Sequence, residues 1–180
     1  MRFSQASLRS VVISAVMGAL ALVLPMAFHA AGLGSKFLPM LLPLLINGFL
    51  VSADWAVLTG ALVPLISALS TGMPPLYPPV VLAVSLEGAV LGGVAALLYR
   101  PRRRLWPALA TAIICGRLAA WGATWVLARV FSLPPQVASV AMLVQGIPGV
   151  LLQLAVVPVV VSQLSRRGGI LFAHESRPEA

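Results

Sequence analysis

"VVLAVSLEGAVLGGVAALLYRPRRR", Val80 to Arg104, decides the fold. Up to Tyr99 the stretch is apolar apart from Ser85 and Glu87, and it then gives way to four arginines within five residues. About 20 apolar residues in a helix cover the roughly 30 Å hydrocarbon core of a bilayer, and an arginine cluster marks the cytoplasmic end of such a span. The stretch therefore reads as a transmembrane helix from Pro79 to Tyr99 with a single carboxylate set inside it.

The rest of the chain has the same character. Of 180 residues, 60% are hydrophobic and 9% charged, against about 25% charged in soluble domains. Mean hydropathy is +1.02. Apolar runs and their breaks predict six transmembrane helices: Leu8 to Ala30, Phe37 to Ser52, Asp54 to Thr71, Pro79 to Tyr99, Leu105 to Phe131 and Pro135 to Leu164. The fold class is an all-α integral membrane bundle. Residues 1–165 form one transmembrane domain, and residues 166–180 form a polar cytoplasmic tail expected to be disordered. The join of the second and third helices is a tight turn at "VSAD", where Asp54 reads as the N-cap.

Arginine placement sets the orientation. Arg2 and Arg9 precede the first helix, "RPRRR" joins the fourth and fifth, and Arg166, Arg167 and Arg177 follow the sixth, so nine of the twelve basic residues fall on one side. The positive-inside rule makes that side cytoplasmic, with both termini inside. The same distribution explains the net charge of +8 without a nucleic-acid surface, because the basic residues sit between apolar runs rather than along one polar face. Arg2 and Arg9 ahead of an apolar run also suit a signal peptide, but the run continues to Ala31 and "AFHAAG" is a poor cleavage site, so this is read as the first span. Cys115 stands alone, which leaves no intrachain disulfide and no zinc spacing.

An ionisable side chain inside a span is expensive and marks a candidate site. At 1.5 Å per residue, Glu87 lies about 12 Å below the outer end of its helix and Arg117 about 18 Å above the inner end of the next, so the two depths coincide. Asn47 and Gln145 fall about 15 Å from the outer end by the same arithmetic. Four helices thus contribute one strong polar group each to a layer near the midplane, as a chamber open to the outside requires. The competing reading is that Glu87 and Arg117 only pair with each other and that the two amides only join helices. His29 and Lys36 flank the first outward loop, where they meet either an anionic ligand or lipid headgroups. "STGMPPLYPPV", Ser70 to Val80, is a proline-stiffened outward loop above Glu87, in which Met73 and Tyr77 supply adaptable apolar contacts and Gly72 a turn. In the first helix, Ala15, Gly18 and Ala19 form a small-residue face on which another helix can approach closely.

Several chemistries are excluded. "GLGSK" lacks the spacing of a phosphate-binding loop, no Ser/His pair suits a hydrolase, and no metal-binding pattern occurs, so neither a cofactor nor a metal is expected.

"FLPMLLPLLINGFL" (Phe37 to Leu50), "GALVPLISALSTGMPP" (Gly60 to Pro75) and "SLEGAVLGGVAALLYR" (Ser85 to Arg100), in that order after Ala15-xxx-Ala19 and within six spans, resemble the substrate-binding S components of energy-coupling factor (ECF) vitamin transporters. The resemblance runs from the first helix to the sixth. It implies a non-enzymatic subunit of the cell membrane that captures a vitamin or related micronutrient from outside under a lid of outward loops. It further implies docking, through Ala15 and Ala19, onto a membrane coupling protein that carries two cytoplasmic ATPases. A non-transporting scaffold and a stand-alone secondary transporter are the alternatives; the latter calls for interrupted, symmetric helix halves, and no inverted repeat is evident.

Overall fold

The computed structural model describes residues 5–30, 32, 39–76, 80–102, 104–132 and 146–167. Among the described residues six helices follow one another: α1 (Gln5–Ala30), α2 (Leu41–Leu50), α3 (Ala53–Thr71), α4 (Val80–Arg102), α5 (Leu105–Val130) and α6 (Ile147–Arg167). No strand occurs among the described residues. Five of the helices are long and apolar enough to cross a membrane.

Helix α2 departs from expectation. A span from Phe37 to Ser52 was anticipated, but the helix holds ten residues, which at 1.5 Å each cover about half of a 30 Å core. It ends where the Val51 N–H bonds the Asn47 carbonyl at 3.0 Å and the chain turns extended at Val51. The cap of α3 is also corrected. Ser52, not Asp54, is the N-cap: its carbonyl accepts the Ala56 N–H at 2.9 Å, which puts Asp54 in the first helical turn. There its carboxylate favours the positive end of the helix dipole. At the other end of α3, Gly72 has φ 74°, the left-handed conformation that the turn requires and that glycine adopts without strain.

Helix α6 begins, in its described part, at Ile147, where the Gly146 carbonyl takes the Val150 N–H at 3.0 Å. Pro148 suits this first turn because its missing N–H would have had no helical partner. The start anticipated at Pro135 lies outside the described residues. At its far end the helix continues through Arg166 to Arg167, beyond the boundary expected at residue 165.

Helix α4 is the centre of the bundle, packed against α2, α3 and α5. Lipid supplies no hydrophobic force to drive helices together, so close van der Waals approach of backbones has to do it, and that requires small residues. A Cβ on Gly88 would lie 2.7 Å from the Gly60 carbonyl oxygen, and one on Gly60 would collide with the Gly88 carbonyl. Gly48 of α2 meets α4 in the same way, its absent Cβ 2.5 Å from the Gly92 oxygen. Below these contacts Phe49, Leu91, Tyr99, Leu109, Ile113, Val157 and Val161 form a core that joins α2, α4, α5 and α6. Phe49 and Tyr99 meet edge to face at 5.1 Å. Large exposed apolar side chains, such as Val12 and Val16 on α1 or Ile114 and Leu118 on α5, are the surface that a bilayer covers.

Candidate functional site

Glu87 and Arg117 meet as the depth argument requires. Gly116 lets α5 close on α4, its absent Cβ 3.1 Å from Leu91 Cβ and 3.5 Å from the Glu87 carbonyl. Arg117 Nε then stands 3.2 Å from Glu87 Oε1, with side chains 13% and 3% exposed. The contact is one of charge without hydrogen-bond alignment: Glu87 Oε1 and Arg117 Nε and Nη2 are buried with no hydrogen-bond partner among the described residues. This differs from the two-pronged fork by which a guanidinium usually grips a carboxylate.

The start of α6 closes the third side. A Cβ on Gly146 would lie 2.8 Å from Arg117 Nη1 and 3.1 Å from Cζ, so the guanidinium rests directly on the Gly146 backbone. The Arg117 guanidinium, with Glu87 of α4 beside it, is thus held against the first turn of α6. Buried polar atoms in native proteins are nearly always partnered, and those that are not call for a reason such as a ligand.

Asn47 does not join them. Its Nδ2 donates to Ser14 Oγ at 3.3 Å, and the same hydroxyl is 3.4 Å from Asn47 Oδ1. Both side chains are buried. Leu44 of α2 touches the level of Gly88 and Gly48 that of Gly92, so Asn47 sits about a turn from Glu87 along the bundle and fastens α2 to α1. Ser14 escaped the sequence reading, although it is the only polar side chain between Val11 and Phe28. Interhelical bonds of this kind contribute about 0.6 kcal/mol on average and up to about 1.7. Asn47→Ala and Ser14→Ala should each destabilise by an amount in that range. The double variant should be no worse than either single one in sodium dodecyl sulphate unfolding; additive losses would mean that the two side chains act separately.

Gln153 is the other residue the sequence reading passed over. It is 1% exposed, and neither amide atom has a hydrogen-bond partner among the described residues. It lies seven residues after Gly146, about two turns along the same face of α6. Ser85 Oγ on α4 is likewise buried and unpartnered. An isolated amide in an apolar run was the signal for Gln153, and Gln145 had it as well.

Met73 is 44% exposed at the end of a braced turn: its carbonyl accepts Ser67 Oγ at 2.6 Å and its N–H donates to Thr71 Oγ1 at 3.3 Å. Lys36, Tyr77 and Gln145 lie outside the described residues, as does the side chain of His29 near the end of α1. The small face of α1 divides. Ala15 and Ala19 are exposed, whereas Gly18 is buried, its absent Cβ 3.2 Å from Val63 of α3. Gly18 therefore packs inside the bundle, and the two alanines face outward.

A family model described as ECF transporter, substrate-specific component, matches residues 9–161. The chain belongs to the ECF transporter substrate-specific components. The match begins in α1, at the arginine end of the first span, and ends in α6. No curated protein and no solved structure matches the chain. A substrate-specific component is a transporter subunit and not itself an enzyme. The described residues form helices and turns without strands, and five of the helices are apolar enough to span a membrane.

Proposed function

We propose that this substrate-specific component captures a vitamin or related micronutrient from the outside and that Glu87 and Arg117 anchor the ligand. The observation that carries this reading is the set of unpartnered buried atoms, Glu87 Oε1 and Arg117 Nε and Nη2, where α4 and α5 meet the start of α6. A ligand carboxylate is the group best suited to such a guanidinium, because it can accept two parallel N–H bonds. Met73 and Tyr77, in the loop after α3, belong to the lid over this site. His29, Lys36 and Gln145 complete its polar lining.

Docking uses the outward pair Ala15 and Ala19, whose exposure on a helix dense in valine suits close approach of a coupling-protein helix. That partner carries the two ATPases. Both termini lie on the cytoplasmic side of the plasma membrane, with the arginine-bearing end of the bundle.

Mass spectrometry of a ligand retained by the purified protein tests the capture role. No retained or added vitamin-sized molecule across a broad panel would count against it. Arg117→Ala should weaken binding at least tenfold, as loss of one charge-assisted hydrogen bond of about 1.5–3 kcal/mol implies. Arg129→Ala should leave affinity within twofold, because Arg129 is exposed and stacks on Trp125 at 4.3 Å at the far end of α5. Equal effects of the two substitutions, measured by titration calorimetry, would remove Arg117 from the site.

A further inference from the structure

Among the described residues two side-chain amides are buried, and the fold treats them differently. Asn47 is answered by Ser14. Gln153 is 1% exposed, yet its Nε2 and Oε1 have no partner among the described residues. A buried amide left in this state is costly. The side chain faces into the bundle: Val157, one turn further along α6, is fully buried in the core shared with α2, α4 and α5, and Val150 and Leu154 pack against that core. Gly149 lies between Gly146 and Gln153 and is itself buried. Residues 146, 149 and 153 fall within about 60° of one another around the helix axis. Inward from the Arg117 guanidinium, this strip of α6 therefore presents bare backbone at two glycines and then an unpaired amide.

We propose, resting on Arg117 as the anchor of a carboxylate, that Gln153 is the second polar contact of the captured molecule and pairs with an N–H beside a C=O at its far end, as in a lactam, pyrimidinone or cyclic urea. A side-chain amide offers an N–H next to an oxygen, and the edge of such a ring engages both at once. The seven residues from Gly146 to Gln153 span about 10 Å, which sets the distance between the two ends of the molecule. Bare backbone at Gly149 favours a flat ring, because glycine lets a ligand approach the main chain closely. An apolar far end is disfavoured, since it would leave the amide unpaired.

Titration calorimetry of the full chain with a pyridone propanoate, its acid chain opposite the ring C=O, tests this. The control is the corresponding methoxypyridine acid, which has no ring N–H. The parent should bind the pyridone more tightly by about tenfold or more, as loss of the paired N–H and C=O implies. Gln153→Leu should bring the two acids within about twofold of each other. Measured without either acid, it should also raise the melting temperature by about 2–4 °C, because an unpaired buried amide is gone. An amide with a structural partner would lose stability on the same change, so a lower melting temperature would overturn the proposal. Equal affinity of the parent for both acids, no binding of either, or a pyridone preference that survives Gln153→Leu would do the same. Arg117→Ala separates this contact from the anchor: it should weaken both acids alike and keep the preference between them. Should Arg117→Ala leave affinity unchanged while Gln153→Leu removes the preference, the anchor fails and the contact at Gln153 stands.

Discussion

Glu87→Gln is expected to destabilise the bundle by about 3–5 kcal/mol, the usual consequence of leaving a buried charge without its partner. The Arg117 side chain is 13% exposed, and the Gly146 backbone bars the guanidinium on one side. A neutral amide at position 87 leaves that charge with no counter-ion among the described residues. Glu87→Gln combined with Arg117→Met should recover most of the loss, because removing both charges together also removes their desolvation. Unfolding in sodium dodecyl sulphate measures both. A Glu87→Gln variant as stable as the parent would show that the pair does not hold α4 to α5. The repaired double variant also separates structure from function: it should fold and no longer bind ligand. Undiminished binding by that variant would reduce the pair to a structural contact.

The second large effect lies at the closest helix contact. Gly60→Ala places a methyl group where the Gly88 carbonyl already stands, and backbone atoms of two helices cannot yield as a side-chain tip does. Overpacking costs typically about 1–3 kcal/mol, and this case belongs at the upper end because α3 must move away from α4 along its length. Gly122→Ala is the control. An added Cβ there meets nothing within 4 Å, and alanine is favoured over glycine in a helix interior by about 1 kcal/mol. Thermal stability in detergent should fall sharply for the first variant and hold or rise for the second. Similar outcomes for both would mean that α3 and α4 do not depend on this contact.

These two regions show what was legible in advance. Glu87 and Arg117 were recognisable because a charge in an apolar run has few places to go, and helical rise alone put them at the same depth. The span boundaries followed from hydropathy wherever an arginine or proline cluster interrupted it. Asn47 was placed at nearly the right depth but in the wrong company. Depth along an axis follows from residue number, whereas the direction a side chain faces follows from which helix is its neighbour, and α1 supplied Ser14. Gly18 shows the same limit. Its position beside Ala15 and Ala19 suggested one small face, but successive residues on a helix point about 100° apart, and packing against Val63 took Gly18 inside.

The sequence by itself therefore determined the membrane-spanning helical class, the end of the bundle that gathers arginine, and the Glu87/Arg117 pair, because each depends on the transfer of side chains between water and hydrocarbon. Tertiary structure alone decided that α4 is the hub, that Gly60, Gly88, Gly48 and Gly92 set its distance from its neighbours, that Asn47 bonds Ser14, and that Gln153 is left without such a partner among the described residues. Those features depend on which helix faces meet, and within a chain this uniformly apolar, hydropathy scarcely distinguishes one face from another; close backbone contact does.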